Sequence, residues 1–253
     1  MKKIALILAF ALLFTFALTG CSATANRMDA IKKNGKLVMV TNAAFPPFEY
    51  IMDGKPAGVD IDVAQAIADE LGVELEVIDM NFDLLVESVK TGKADVALAG
   101  LTIRPDRLEQ IDFSIEYVQS AQHVIIKSGS GITSDNLDGL TIAVQESTTG
   151  DFYASDDIAA KEVLRFKSGI EAGSALSSGK CDAVIIDKLP AEAIAANSNG
   201  VLEVLPEALT EESYAIAVQK GQEDLMAAVN AILQRLIENG TIDALVVKHM
   251  ALA

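Results

Sequence analysis

Short apolar runs alternate with amphipathic segments over the first half of the chain. Three runs have the length and composition of buried strands: residues 37–40, 73–78 and 94–99. Two segments between them carry apolar side chains at helical spacing: residues 60–71 and 83–89. The longer segment starts at Asp60, a helix-capping residue type, and stops before Gly72, which favours a helix end. The pattern predicts a β-α-β-α-β order.

The second half of the chain repeats this order. Strand-like stretches lie at residues 140–144, 163–166 and 183–186. Helix-like stretches lie between them, at residues 150–154 and 170–178. The motif Gly-Lys-x-Asp stands between a helix end and a strand in both halves, at residues 92–95 and 179–182. A further strand and two helices follow, at residues 214–218, 225–236 and 241–250. We predict an α/β fold of two similarly built, closely apposed lobes, each a sheet flanked by helices, with more than one strand crossing between them.

The N-terminus has the pattern of an export signal. Lys2 and Lys3 precede an uncharged apolar run, residues 4–18, which is shorter than the roughly 20 residues of a membrane-spanning helix. We predict a signal peptide at residues 1–20. Cys21 completes a Leu-Thr-Gly-Cys motif that resembles the lipobox of bacterial lipoproteins. This implies a lipid (palmitate) on Cys21 and attachment to the extracytoplasmic side of the cell membrane, in the periplasm or at the cell surface. An ordinary cleaved signal is the alternative.

Charge and cysteine content indicate which partners and which disulfides can be expected. The 253-residue chain has a formal net charge of −16, and removal of the two signal lysines makes the mature chain more acidic still. Such a surface argues against nucleic acid or an anionic lipid surface as a partner and favours a soluble monomer. If Cys21 is lipidated, only Cys181 remains, so we expect no intramolecular disulfide.

The loops that follow the strands hold the candidate binding residues. Ligands of open α/β sheets bind just past the carboxyl ends of the strands, which gives four positions here: residues 42–48, 100–107, 145–150 and Asp187. Arg107 offers a planar set of donors that matches a carboxylate, and the nearby Thr102 adds a hydroxyl and an N–H group. A surface pair with Asp106 or Asp112 is the alternative for Arg107.

The second lobe offers a further anion site and a cation site. Thr148 and Thr149 lie where a strand gives way to a helix, so free N–H groups there can point at an anion. Asp187 ends an apolar strand and needs a cationic partner, which a ligand α-ammonium would supply. Capping of the following helix is the alternative for Asp187. Together these residue types suit a small zwitterion.

Aromatic side chains add a place for the ligand side chain. Phe45 and Phe82 lie in loops after strands and could sandwich it, whereas core packing is the favoured interpretation for Phe48. His123 and His249 have neither metal-ligand nor catalytic-triad spacing. We therefore expect no metal, no cofactor and no catalytic residue.

Several motifs occur together in the order found in a known family. They lie at residues 41–50 (TNAAFPPFEY), 58–62 (GVDID), 99–107 (AGLTIRPDR), 111–114 (IDFS) and 144–150 (VQESTTG). From about Lys36 to its end, the chain resembles the polar amino-acid-binding proteins of bacterial ABC importers. The resemblance implies a two-lobed, type II periplasmic-binding-protein fold that closes on its ligand and delivers it to an importer permease. We place the lobes at residues 35–120 with 213–253 and at 121–212, after a lipidated tether at 21–34.

The resemblance also implies roles for single residues. The position that matches Arg107 binds the α-carboxylate, with Thr102 and Thr149 assisting. The positions that match Asp187 and the Gly100 carbonyl bind the α-ammonium. The aromatic side chains on either side of the ligand match Phe45 and Phe82.

Three departures from the family pattern bear on the ligand. Arg104 stands where the family often has Thr, and its side chain can face solvent. Ser147 replaces a common Gly, so that loop can be strained or rearranged. Asn42 stands where members specific for cationic amino acids carry an acid. Because Asn42 and Gln145 together suit a neutral amide, we expect glutamine or a similar polar amino acid.

Other interpretations stay open at this point. A cationic ligand such as arginine, lysine or histidine is the alternative, with Glu49 or Glu146 supplying the missing acid. An enzyme resembling cyclohexadienyl dehydratase shares the fold, but no acid and base pair for that chemistry is identifiable. A sensory binding protein would begin with the same closure as a transport protein.

Overall fold

The computed structural model describes residues 26–252. The predicted signal peptide and the predicted lipidation site Cys21 lie outside these residues. Between residues 26 and 252, no helix has both the length and the apolar character needed to cross a membrane.

The chain first forms a helix and then the strands and helices of the first α/β half. In chain order these are α1 (Arg27–Asn34), β1 (Lys36–Thr41), β2 (Ala44–Phe45), β3 (Glu49–Met52), β4 (Lys55–Ala57), α2 (Val59–Leu71), β5 (Glu74–Asp79), α3 (Leu85–Lys90), β6 (Val96–Ala97), α4 (Pro105–Leu108) and β7 (Ile111–Ser120). A 3-10 turn at Phe82–Leu84 leads into α3.

The second half follows without a break. Its elements are β8 (Gln122–Lys127), β9 (Thr141–Gln145), α5 (Thr149–Asp156), β10 (Glu162–Phe166), α6 (Gly169–Ser177), β11 (Ala183–Asp187), α7 (Lys188–Ala196), β12 (Leu202–Val204), β13 (Glu212–Gln219), α8 (Glu223–Glu238) and α9 (Thr241–Met250). The strands and helices predicted from the apolar pattern are confirmed, with ends shifted by one or two residues in most cases. The strands β2–β4, β7 and β12 and the short helix α4 were not predicted.

Two five-stranded sheets have the same plan. The first sheet runs β5-β1-β6-β13-β7 and the second runs β10-β9-β11-β8-β12. In each, three parallel strands come first and two antiparallel neighbours complete the sheet. The predicted pair of similarly built α/β lobes is therefore confirmed, and we call them the first and second lobe after their sheets.

The chain crosses between the sheets twice. β7 leads into β8 with only Ala121 between them, and the segment after β12 returns to the first sheet as β13. These two crossings put the ends of β7 and β13 beside the space between the lobes. The boundaries predicted at residues 120/121 and 212/213 fall at these crossings and stay a prediction.

The repeated Asp of the Gly-Lys-x-Asp motif has the same structural role in both lobes. The Asp95 carboxylate accepts a hydrogen bond from the Val38 N–H at 2.7 Å, and the Asp182 carboxylate accepts one from the Thr141 N–H at 2.8 Å. Each carboxylate thereby satisfies a backbone donor near the start of a neighbouring strand. The glycine that begins each motif has a positive φ, as expected for a helix stop.

Helix α1 differs from the tether that was expected over residues 21–34. Asn26 caps the helix, and Met28 and Ile31 are buried in the core, with Ile31 only 1% exposed. The Arg27 guanidinium pairs with Asp95 of the first lobe. Because its apolar side packs on the lobe, residues 27–34 are part of the folded body rather than a free linker.

Removal of the buried side chain of α1 should therefore destabilise the protein. We expect Ile31→Ala to lower the free energy of unfolding by about 2–4 kcal/mol, since it leaves a cavity in a packed core. The exposed control Lys32→Ala should change it by less than about 0.5 kcal/mol. Denaturant unfolding of both variants measures the difference, and equal stabilities would show that α1 does not contribute to the core.

Candidate functional site

A narrow cavity lies between the lobes, where the loops after β1, β6, β9 and β11 face each other. Its volume is about 300 Å³. It is lined by Phe45, Glu49, Phe82, Ala99, Gly100, Thr102, Arg107, Gln145, Thr148, Thr149 and Asp187. Every predicted binding residue except Asn42 lines it, so the structure brings together loops that are far apart in the chain.

Arg107 is a buried cation without an ionic partner. Its guanidinium donates to the Thr102 carbonyl at 2.8 Å and, across the cleft, to the Ser147 carbonyl at 3.2 Å. The side chain is 5% exposed, and burial lowers its pKa to about 10. Among the described residues no carboxylate lies within salt-bridge distance of it. The two carboxylates considered from the sequence pair with other residues, Asp106 with Arg104 and Asp112 with Lys220. The surface-pair alternative for Arg107 is therefore wrong.

Asp187 is a buried carboxylate at the end of β11. It accepts hydrogen bonds from the Tyr214 hydroxyl at 2.6 Å, the Ser120 hydroxyl at 3.0 Å and the Gln122 amide at 2.8 Å. Burial and, to a smaller extent, the charge of Glu212 raise its pKa to about 6. Asp187 occupies the N-cap position of α7, as the alternative predicted, but its side chain makes no capping hydrogen bond. The carboxylate is held in place by neutral donors and has no cation beside it in residues 26–252.

Gly100 lies where the backbone comes close to an aromatic ring. Its φ is +52°, and a Cβ atom there would lie 2.7 Å from the Phe45 ring. Its N–H donates to Asp60 at 3.0 Å. Only glycine fits this combination of conformation and contact, which keeps the backbone of residue 100 in the cavity wall.

The threonines of the cavity already have acceptors. The Thr148 hydroxyl donates to the Gln145 carbonyl at 2.7 Å and caps α5. The hydroxyls of Thr102 and Thr149, which come from different lobes, both donate to the carboxylate of Glu212 at 2.8 Å. Glu212 was not predicted from the sequence. It lies close to the cavity only because the chain returns from the second lobe to the first at β13.

The aromatic residues divide as predicted between cavity and core. Phe45 and Phe82 line the cavity, and the Arg107 guanidinium lies 5.3 Å from the Phe82 ring centroid. Phe48 is fully buried and packs edge-on against Tyr214, with ring centroids 5.0 Å apart. The core interpretation of Phe48 is confirmed.

The two amides behind the predicted preference for glutamine bind each other. The Gln145 side chain donates to the Asn42 carbonyl oxygen at 3.0 Å, and the Asn42 amide donates to the Met80 carbonyl at 2.9 Å. The Oε1 atom of Gln145 is buried without a hydrogen-bond partner in the described part of the chain. Gln145 therefore offers the cavity an acceptor, whereas both groups of Asn42 are occupied.

Glu49 is a second buried acid in the cavity lining, in addition to Asp187. Its side chain is 0% exposed, and neither carboxylate oxygen has a hydrogen-bond partner within residues 26–252. Burial, followed by the charge of the neighbouring Asp60, raises its pKa well above the usual range. The other acid considered from the sequence, Glu146, pairs with Lys167 and does not line the cavity.

Two of the departures from the family pattern have clear structural outcomes. The Arg104 guanidinium stacks on the Phe152 ring of the other lobe, 3.7 Å from its centroid, instead of extending into solvent. Ser147 adopts a φ of +63°, so this loop keeps the left-handed conformation that glycine favours.

No group of three or more His, Cys, Asp or Glu side chains in the described chain could hold a metal ion.

Comparisons with known proteins agree with this geometry. The family model "Bacterial extracellular solute-binding proteins, family 3" matches residues 37–251. The chain is 34% identical to the "Arginine-binding extracellular protein ArtP" of Bacillus subtilis, over 97% of this chain and 96% of that protein. Other relatives are named as binding proteins for L-cystine, histidine and glutamine.

Solved structures give the same picture. A mutant of ArgBP from T. maritima superposes with a TM-score of 0.83 at 38% identity, covering 88% of this chain and 99% of that one. The amino acid ABC transporter substrate-binding protein AbpA from Streptococcus pneumoniae, solved with L-arginine, superposes with a TM-score of 0.84 at 34% identity, covering 88% and 98%.

The burial of Glu49 should cost stability at neutral pH. Its pKa is higher in the folded than in the unfolded chain, so the wild-type protein loses stability as pH rises through the interval between the two values. Glu49→Gln does not titrate, and its amide can donate to Asp60. We expect it to raise the Tm of the ligand-free protein at pH 8 by at least about 3 °C, with a much smaller difference at pH 4.

The exposed Glu109→Gln is the matched control and should change Tm little at either pH. Thermal unfolding followed by circular dichroism measures both variants. A Tm of Glu49→Gln that is lower than the wild-type value at pH 8 would contradict this account of a destabilising buried acid.

Proposed function

We propose that this chain, which belongs to the bacterial extracellular solute-binding proteins of family 3, binds one L-amino acid between its lobes and delivers it to an ABC importer. The family is described as extracellular, and the relatives reported above are named as binding proteins for amino acids. We further propose attachment to the membrane through a lipid on Cys21, which would keep the protein near its permease.

The two ends of the cavity account for the common part of an amino acid. Arg107 is a buried cation with no carboxylate within salt-bridge distance in residues 26–252, and a ligand α-carboxylate would supply that anion with paired hydrogen bonds. Asp187 is a buried carboxylate with no cation at that distance in the same part of the chain, and a ligand α-ammonium would supply that cation. The Gly100 carbonyl is the further acceptor that we assign to the ammonium. A zwitterion thereby removes both unfavourable burials at once.

The single observation that carries the choice of side chain is the carboxylate of Glu49. Within residues 26–252, neither of its oxygens nor Oε1 of Gln145 has a hydrogen-bond partner, and all three atoms are buried. Next to a guanidinium or ammonium group the ionised form of Glu49 is favoured. Such a group only donates hydrogen bonds, so it complements these three acceptor oxygens. A side-chain amide would bring its own acceptor next to this carboxylate. We therefore propose a cationic L-amino acid, with arginine first, in place of the glutamine preference suggested by Asn42 and Gln145.

Binding would act through closure of the lobes. Arg107 and Phe45 belong to the first lobe, whereas Gln145 and Asp187 belong to the second. A ligand that contacts both sets stabilises the closed arrangement in proportion to its extra contacts there. The closed form is the one that we propose docks on the permease.

The Glu49 assignment predicts a charge preference in the ligand. Arginine and citrulline have nearly the same shape and differ in that citrulline has a neutral urea group. Wild-type protein should bind arginine more tightly than citrulline. Glu49→Gln should lose about 10- to 100-fold in affinity for arginine and less than about threefold for citrulline, because only arginine pairs with the carboxylate.

Isothermal titration calorimetry measures these affinities, with Glu146→Gln as the matched control that should bind arginine within about threefold of the wild type. A thermal-shift screen of residues 22–253 against the twenty L-amino acids tests the ligand class first. Tighter binding of glutamine than of arginine would contradict the cationic assignment and restore the neutral one.

The Arg107 assignment predicts a loss that is independent of the ligand side chain. Arg107→Ala should weaken binding by about 2–5 kcal/mol, because the α-carboxylate would be buried without its partner. Arg235→Ala, which removes a surface arginine paired with Glu70, is the control and should leave affinity unchanged. Wild-type affinity in Arg107→Ala, measured by calorimetry, would rule out this carboxylate site.

A further inference from the structure

Glu212 joins three parts of the molecule at the edge of the cavity. It is the first residue of β13, where the chain returns from the second lobe to the first. Its carboxylate accepts hydrogen bonds from the hydroxyls of Thr102 in the first lobe, Thr149 in the second lobe and Thr210 in the returning segment, at 2.8, 2.8 and 3.0 Å. Two of these three hydroxyls line the cavity.

These bonds determine what the two cavity hydroxyls can offer a ligand. A threonine hydroxyl has one proton to donate and two lone pairs that accept. Thr102 and Thr149 each donate that proton to Glu212, so neither hydroxyl can donate to a ligand carboxylate at the same time. Thr149 also accepts from the Gln122 amide at 3.0 Å, which leaves it one lone pair. Both oxygens therefore face a ligand as acceptors.

We propose that Glu212 is a positioning residue of the ligand site, which takes the hydroxyl protons of Thr102 and Thr149 and so presents both oxygens as acceptors for the ligand α-ammonium. The inference rests on the proposed function only in requiring an L-α-amino acid as ligand. It changes the role that the family resemblance implied for the two hydroxyls, which was to assist the α-carboxylate. The carboxylate is then held by Arg107 and by backbone N–H groups.

A chain of hydrogen bonds supports the same assignment. Glu212 accepts from Thr149, Thr149 accepts from Gln122, and the Gln122 amide also donates to Asp187. The carboxylates of Glu212 and Asp187 are thus two anions linked by neutral groups, close enough for the charge of Glu212 to raise the pKa of Asp187. An ammonium group placed against the Thr oxygens and Asp187 reduces the repulsion between these two anions.

Three features together distinguish an ammonium site from an arrangement that only holds the hinge. The bonded hydroxyls come from both lobes, they line the cavity, and their remaining lone pairs have the polarity that an ammonium needs. Thr102 and Thr149 both donate to Oε2 of Glu212, whereas Thr210 donates to Oε1, so a glutamine could keep both cavity bonds with its amide oxygen. Glu212→Ala removes the acceptor altogether and leaves both cavity hydroxyls able to turn their protons towards a ligand.

The test compares an amino acid with its deamino analogue. The ligand is the L-amino acid that the wild-type protein binds most tightly; if this is arginine, the analogue is 5-guanidinopentanoate. We expect Glu212→Ala to lose about 10- to 100-fold in affinity for the amino acid and less than about threefold for the analogue, which has no ammonium. Displacement titrations at up to millimolar concentrations of analogue give both affinities in full-length mature protein.

The control is Glu211→Ala, which removes the neighbouring exposed carboxylate and should bind both ligands as the wild type does. The Tm of ligand-free Glu212→Ala separates loss of binding from loss of folding. Equal losses for the two ligands would mean that Glu212 only supports the hinge, and would overturn the proposal. Unchanged or tighter binding of the amino acid would also overturn it.

These outcomes separate the inference from the proposed function. If the preferred ligand is neutral, the Glu49 assignment fails while the Glu212 comparison is made with that ligand and its own deamino analogue. If the wild-type protein binds no L-amino acid, the proposed function fails, and the ammonium role of Glu212 is overturned with it.

Discussion

The enclosure of charge without counter-charge between the two lobes is the constraint on which the site depends. Within residues 26–252, Arg107 is a buried cation with only carbonyl partners, and Asp187 is a buried carboxylate with no cation within salt-bridge distance. Glu49 is a buried acid whose neutral form is favoured by burial. Isolated buried charges are costly unless paired, and the cost falls as soon as an opposite charge enters. The protein therefore carries an unfavourable charge distribution that a ligand of complementary charge corrects. The affinity for such a ligand includes this relief as well as the new contacts.

The fold keeps these charges from neutralising one another. Arg107 extends from α4 of the first lobe, and Asp187 ends β11 of the second. Asp187 is held by Ser120 and Tyr214 from the crossing strands β7 and β13, together with Gln122. Because neutral donors fix this carboxylate at the base of the cleft, it stays separate from Arg107 even when the lobes are close. The two crossings thus join the lobes and also support the ammonium site that we propose.

Sequence reasoning succeeded where a local pattern decides the structure. The alternation of apolar runs and amphipathic segments predicted both α/β lobes, and the loops after the strands contain nearly all cavity residues. It placed residues 21–34 in a tether, whereas Ile31 packs into the core. It ranked Asn42 above Glu49, since residue type cannot show that Asn42 is already bonded to Gln145 and Met80. Glu212 depends on a return of the chain over a long sequence separation, so no local signal marks it.

Contacts between the lobes that need no ligand decide how strongly closure is coupled to binding. Arg104 stacks on Phe152, Arg107 donates to Ser147, and Gln145 donates to Asn42. Each contact stabilises the closed arrangement before a ligand enters, and apparent affinity rises with the fraction of protein that is already binding-competent. The stacking of Arg104 lies outside the cavity lining, so it changes that fraction without touching the ligand. In the proposed function Arg107 and Gln145 therefore contribute both to ligand contact and to closure, whereas the contact between Arg104 and Phe152 contributes to closure alone.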